Sequence, residues 1–273
     1  MKRFIILFLI TVFVSACNRG GQQYDAAPET PDTGDLTMGA GLQKFFSLRR
    51  EAILDTIGDG LLVLRSDYGF NGGRHGYRAA SNFWYLTGYG QPGTIMSLSG
   101  GDSRPYALYT RERSVRDIIY SGNLPDPREL IGTWAPDTLL DYREADKIIA
   151  KAARAGRHIY LDFRDRVFRD HVLELLGAGG NAGALLRDIN PALSEMRVDK
   201  DEYEVMMLQK AIDITGKGFE TVLAECAPGM YEFEIEALLE YEWRRNGSPM
   251  PAFGSIVGSG ENAVTLHYSG NNR

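Results

Sequence analysis

Leu42, Phe45, Phe46, Ile53 and Ile57 recur at helical spacing, and Gly58 and Gly60 stop the pattern, which predicts a first helix. "LLVLR" (61–65) is short, apolar and bounded by turn residues, so a strand is expected there. "NFWYLTGYGQPGTIMSL" reads as a strand, a Gly-Pro turn and a second strand, and "PYALYT" (105–110) reads as a third. An Arg-rich helix is expected from about Glu112, then a Pro-rich connection "NLPDPRELIGTWAPD", then a helix through "LLDYREADKIIAKAARAG". "HIYLDF" (158–163) completes an alternating pattern that argues for an α/β domain with a mixed sheet.

The pattern changes near Pro191 and "SEMRVDKDEYE", where Asp199 or Asp201 could cap the next helix. Val205, Leu208, Ile212, Thr215, Phe219, Val222 and Cys226 alternate in steps of three and four, one apolar stripe along a long helix. On that stripe Cys226 is expected to be a small core residue rather than a nucleophile or ligand. Pro228-Gly229 ends this helix and "YEFEIEALLEYEWRRNG" starts another, with Glu232, Glu234 and Glu236 early, Arg244-Arg245 late, and Gly247 just past its end. These charges read as a solvated helix face. Positions i, i+2 and i+4 do not share one face, which argues against a three-Glu metal site.

The first residues carry an address. Lys2 and Arg3 precede an apolar run, Phe4 to Val14, too short to span a bilayer, and Ser15-Ala16 lead to Cys17. "VSAC" resembles the bacterial lipobox, so residues 1–17 are expected to be a lipoprotein signal ending at a lipidated Cys17; an ordinary cleaved signal is the alternative. Such a protein is anchored in the cell envelope, periplasmic or on the outer face, rather than crossing the membrane. Residues 18–41, rich in Gly, Pro, Asp and Thr, read as a flexible tether. With 30 Lys and Arg against 36 Asp and Glu, the net charge of −6 argues against nucleic acid as a partner. The chain has 2 cysteines, so lipid on Cys17 would leave Cys226 without a disulfide partner.

No HExxH, CxxC, GxSxG or GxxxxGK[ST] motif occurs. "GSGEN" lacks the Lys-Ser/Thr of a phosphate-binding loop, and His75, His158 and His171 have no metal-like spacing, so each is expected at the surface or in a capping role. His267 stands apart. An apolar run, read as a strand, delivers it, and Tyr268 adjoins it. On those residues alone it is either a structural histidine or a pocket residue.

The longer motifs go further. "PGMYEFEIEALLEYEWRRNGSPMPAF", "IVGSGENAV" and "LHYSGNN" resemble the opening of the catalytic domain of Xaa-Pro aminopeptidases (aminopeptidase P), of the pita-bread metallopeptidase superfamily. "SNFWYLTGY" and "TRERSVRDIIYSG" resemble that family's non-catalytic domain, so the likeness runs from about residue 42 to 273. It implies a creatinase-like N-terminal α/β domain over 42–190 and an incomplete pita-bread catalytic domain over 191–273. The implied activity removes an N-terminal residue that precedes proline. The implied cofactors are two divalent metal ions, with manganese the expected metal. His267 inherits the family's substrate-pocket position, and Trp84 matches an aromatic that, in oligomeric members, reaches a neighbouring subunit's active site.

The family's metal ligands, two Asp, one His and two Glu, all follow the LHY position, and "YSGNNR" supplies none. The chain is therefore expected to be a truncated or fragmentary form, inactive as given, with no metal bound and with uncovered apolar surface. Complete, it would be a homo-oligomer acting on peptides with proline second. The alternatives are a lipid-anchored peptide-binding protein on a relict scaffold, and a relative that cleaves Xaa-Pro dipeptides.

Overall fold

Strand β1, Leu61–Arg65, is apolar at consecutive positions because both of its faces are covered. Leu62 and Leu64 point into one core with Phe83, Leu86, Met96 and Leu108. Leu61 and Val63 point into the other, with Ile95, Ile149, Ile159 and Phe168. The computed structural model describes residues 40–68, 71–72, 76–123, 125–177 and 182–273. The signal, Cys17, most of the tether and His75 lie outside them.

Helix α1 (Ala40–Ile57) precedes β1, and a short pair, β2 (Asn71–Gly72) with β3 (Gly76–Tyr77), follows it. Then come α2 (Ser81–Thr87), β4 (Thr94–Ser99), β5 (Tyr106–Thr110), α3 (Val115–Ser121) and α4 (Pro127–Trp134). The series continues with β6 (Thr138–Asp141), α5 (Glu144–Arg154), β7 (Ile159–Leu161), α6 (Arg166–Leu176), α7 (Ala182–Leu185), β8 (Leu186–Asp188) and α8 (Asn190–Met196). Six strands form one sheet in the order β6-β5-β4-β1-β7-β8. β4 runs antiparallel to β1 and β5, and the other three pairings are parallel. This is the expected mixed-sheet α/β architecture.

Three local expectations change. "NFWYLT" is helix α2, not a strand: Gly88, at φ 65°, ends it, and Asn82 is drawn inward to donate to Asp162 Oδ2 at 2.9 Å and Asn190 Oδ1 at 2.9 Å. Four apolar residues, Phe83 to Leu86, are too few for a period to separate helix from strand, so tertiary burial decides. The Pro-rich connection contains helix α4, because Pro127 occupies its first turn and the Asp126 carboxylate accepts from Arg128 N–H at 2.8 Å. "TLLD" leaves the next helix to become edge strand β6, which pairs with β5.

The turn before β1 meets the end of β4 closely. Gly100 N–H donates to Gly60 O at 2.9 Å, and the Arg157 guanidinium donates to Gly60 O, Ser99 Oγ and Gly100 O at 2.9–3.0 Å. A Cβ at Gly100 would lie 1.8 Å from Gly58 O, which is backbone and cannot swing aside. Gly100→Ala is therefore expected to cost about 2 kcal/mol or more, read as a lower urea midpoint at unchanged slope.

The described residues divide after Tyr203 into two units. In the second, α9 (Glu202–Glu225) and α10 (Glu232–Arg245) pack through Val222, Ile235 and Leu239, with Phe219, Cys226 and Trp243 against them. Gly218 allows the close approach, since a Cβ there would meet Trp243 Nε1 at 2.5 Å. The long apolar stripe is covered only in its C-terminal half. Val205, Leu208 and Ile212 are 55%, 54% and 63% exposed, because α10 has 14 residues against 24 in α9 and covers only part of its length. Cys226 is half-buried beside Val222 rather than at the centre of a core.

Candidate functional site

Residues 255–273 carry the histidine that the sequence singles out, and the first turn of α10 organises them. Glu232 is the first residue of α10, only 2% exposed. Its Oε1 accepts from Ser259 N–H at 2.6 Å, Ser259 Oγ at 2.8 Å and Asn262 Nδ2 at 3.1 Å. Its Oε2 accepts from Tyr268 Oη at 2.7 Å and Arg273 N–H at 3.0 Å. Glu232 N–H in turn donates to Arg273 O at 2.9 Å. A carboxylate at a helix N-terminus is favoured by the exposed amide dipoles, and here it also has five donors in place of water.

The next two turns repeat the arrangement. Asn271 Nδ2 donates to Glu236 Oε2 at 3.0 Å and to Ser255 O at 2.9 Å, while its Oδ1 accepts from Val257 N–H at 3.1 Å. Asn271 is buried at φ 43°, a left-handed conformation that asparagine tolerates. Ser255 Oγ donates to Glu240 at 3.4 Å, and Glu240 also pairs with Arg244 at 3.2 Å. Glu232, Glu236 and Glu240 thus form a ladder at i, i+4 and i+8. The acids of α10 are not simply a solvated face: Glu234 is exposed, but this ladder faces the 255–273 segment. The signal was present in the sequence as a four-residue spacing of Glu, hidden by the alternate acids between them.

Burial by itself raises the Glu232 pKa, but the hydrogen bonds from Tyr268, Ser259 and Asn262 outweigh it and lower it from 4.5 to about 2. Depressed in the fold, Glu232 contributes stability that is fully present above about pH 4.5 and is lost as the pH falls towards about 2. That contribution is about 3 kcal/mol at neutral pH. The urea midpoint of the wild-type chain should therefore drop between pH 5 and pH 2.5 more steeply than that of Glu232→Gln.

His267 lies on this pinned segment, exposed, in a turn closed by Tyr268 N–H to Thr265 O at 3.3 Å. The expected strand is absent. Residues 260–264 form a 3₁₀ turn, and no strand forms among the described residues after 203, so the apolar run has no ladder to join. Val264 and Leu266 are 82% and 77% exposed. Trp84 sits on helix α2 rather than a strand, 39% exposed, edge-on to Phe46 at 5.8 Å. His171 is at the surface against Asp146 at 2.9 Å, and His158 is half-buried with its carbonyl accepting from Leu61 N–H.

Among the described residues no group of three or more His, Cys, Asp or Glu comes together in a way that could hold a metal ion. Glu232, Glu236 and Glu240 are instead spent on side-chain and backbone donors of this chain. The residues present therefore do not fit a dinuclear metal centre. What the segment offers chemically is an exposed imidazole, able to donate or accept a hydrogen bond, on a loop fixed from both sides.

Residues 46–160 match the family model of the aminopeptidase P N-terminal domain, and residues 206–273 match that of metallopeptidase family M24. The two matches follow one another along this chain. Its sequence is 30% identical over 214 residues to the Xaa-Pro aminopeptidase of Escherichia coli (strain K12), an alignment covering 71% of this chain and 46% of that protein. It is 29% identical over 203 residues to the Xaa-Pro aminopeptidase of Haemophilus influenzae, covering 72% and 45%. Among solved structures, the aminopeptidase PepP of Pseudomonas aeruginosa superposes with a TM-score of 0.74 at 27% identity, covering 85% of this chain and 55% of that one. Proline aminopeptidase P II from Yersinia pestis gives 0.71 at 26%, covering 85% and 56%. The chain spans about half the length of the relatives it matches. Residues 1–18 match a prokaryotic membrane lipoprotein lipid attachment site.

Proposed function

We propose that this chain is part of an Xaa-Pro aminopeptidase, a metallo-exopeptidase that removes an N-terminal residue preceding proline. The observation that carries this reading is the succession of an aminopeptidase P N-terminal domain and an M24 stretch in one chain, at 30% identity to a named Xaa-Pro aminopeptidase. In this reading His267 lines the substrate side of the pocket and hydrogen-bonds the scissile peptide group as it becomes tetrahedral. The Glu232 ladder holds that histidine in place. Trp84, on an exposed face of α2, reaches the pocket of a neighbouring subunit in a homo-oligomer. The ligands for two divalent ions, manganese in this reading, come from sequence other than residues 40–273. Lipid on Cys17 holds the protein in the bacterial cell envelope, on its periplasmic or outer face.

The test compares the 273-residue chain with the product of the gene's whole reading frame, each offered an Xaa-Pro-Xaa peptide with and without Mn²⁺. The whole product is expected to release the first residue in a metal-dependent way, and the shorter chain is expected to release none and to retain no stoichiometric metal. Stoichiometric metal on the shorter chain, or no cleavage by either, would overturn the reading.

A further inference from the structure

On helix α3, Val115 and Ile119, one turn apart, are 74% and 75% exposed, and Tyr120 beside them is 79% exposed. Ile118 on the same helix is 38% exposed. Singly exposed apolar residues are ordinary, but four on one seven-residue helix form a patch that water covers at a cost. The helix is held before any partner arrives. Ser114 Oγ accepts from Asp117 N–H at 3.2 Å while the Asp117 carboxylate accepts from Ser114 N–H at 3.1 Å, closing both ends of a capping box. Arginines bracket it. Arg116 lies 5.8 Å over the Tyr120 ring, Arg113 donates to Gly122 O at 2.5 Å at the far end, and Arg111 lies 5.1 Å over Tyr142.

We propose that α3 is a membrane-contact element, which lays Val115, Ile119 and Tyr120 into the interface of an anionic phospholipid bilayer with its arginines at headgroup level. The proposal rests on the lipid anchor at Cys17. Where the chain enters the fold supports it. Gln43, near the start of α1, donates through Nε2 to Gly132 O at 2.7 Å and Thr133 O at 2.8 Å, at the end of α4. α4 is eight residues long, about 12 Å, and its start follows α3 by only a few residues. The described chain therefore enters the fold within about 30 Å of the end of α3, the length of α4 plus the five residues that join the two helices. Residues 18–39 can reach at most about 75 Å, which keeps the patch within range of the bilayer at all times. The lipid supplies proximity and the patch selects an orientation. A tyrosine next to aliphatic residues, with arginine around them, suits the water–lipid boundary.

A second copy of the chain suits the patch less well. An isologous contact would bring Arg111, Arg113 and Arg116 against their own copies with only Glu112 and Asp117 to offset them, whereas anionic headgroups neutralise the surplus. Four exposed side chains are also few beside the roughly 20–30 residues a side of a stable protein interface.

The test uses the mature lipidated chain in vesicles of phosphatidylcholine and phosphatidylglycerol, with Cys226→Ser as background and the lipid on Cys17 verified by mass. A nitrobenzoxadiazole label is placed at Ile119→Cys or, as control, at Glu174→Cys on α6, which is also exposed. Nitroxide-bearing lipid is expected to quench the label at 119 about threefold more than at 174, and the difference should shrink in pure phosphatidylcholine or at high salt. Equal quenching at both positions with the lipid present overturns the membrane contact. Label at 119 shielded from water in detergent, together with a doubled mass, assigns the patch to a second copy and overturns it as well. Absence of lipid on Cys17 overturns the anchor, and the proposal falls with it for that separate reason.

Discussion

Replacing Glu232 by alanine should release the segment from Ser255 to Arg273. The substitution removes one acceptor group and leaves five donors, Ser259 N–H and Oγ, Asn262 Nδ2, Tyr268 Oη and Arg273 N–H, without their partner. Hydrogen bonds to a charged group contribute about 1.5–3 kcal/mol each when measured singly, but five on one carboxylate act as a unit. The donors also regain water once the segment lifts. A net loss on the order of 3 kcal/mol is expected, a large part of a typical folding stability. Glu232→Gln keeps an acceptor oxygen without the charge and should fall between the two. Amide exchange of Ser259 and Arg273 reads the event directly: both should approach the rates of unprotected peptide in Glu232→Ala. Unchanged exchange would show that the ladder is not what holds His267 in position.

Cys17→Ala should abolish lipid attachment entirely. In the proposed lipoprotein the thiol is the acceptor atom, and no neighbouring residue of "VSACN" can replace it. Each buried methylene of an acyl chain stabilises membrane association by about 0.8 kcal/mol, so losing the chains changes the partition by many orders of magnitude. Cells fed radiolabelled palmitate should label the wild-type chain and leave Cys17→Ala unlabelled. Cys226 is the other cysteine of the chain, half-buried against Val222 in the fold. Label persisting in the variant would sink Cys17 as the acceptor.

The sequence spoke clearly where one interaction dominated. β1, β4, β5 and β7 are legible because residues that must bury both faces of a sheet are apolar at consecutive positions. α9 is legible because its apolar spacing runs over several turns, and α10 because acids open it, arginines close it and Gly247 follows it. The sequence was opaque where two requirements overlapped. "NFWYLT" serves a buried hydrogen bond at Asn82 as well as the core at Phe83 and Leu86, so its apolar run carries no period. Pro127 looks like a chain breaker and is a helix starter.

The candidate site divides in the same way. His267 and Trp84 drew notice through motifs. Glu232 did not, because an acid in a first helical turn ordinarily needs only the dipole to explain it. Its five partners are spread over fifteen residues, from Ser259 to Arg273, of irregular backbone, and irregular backbone leaves no periodic trace. Strand formation at "AVTLHY" failed for a related reason: an alternating pattern states a preference, but a neighbouring strand must be there to meet it.

The outer strands of the sheet also shape how the molecule behaves in company. β8 is three residues long and carries Arg187 and Asp188, and β6 is four residues long and closes with Asp141, whose carboxylate is taken by Arg143. Brief, charged margins give an incoming extended peptide little backbone to pair with, and an added strand would have to bury ions. At the crowded concentrations of a membrane surface, where anchored copies share two dimensions, this sheet is built to resist ribbon growth from its flanks.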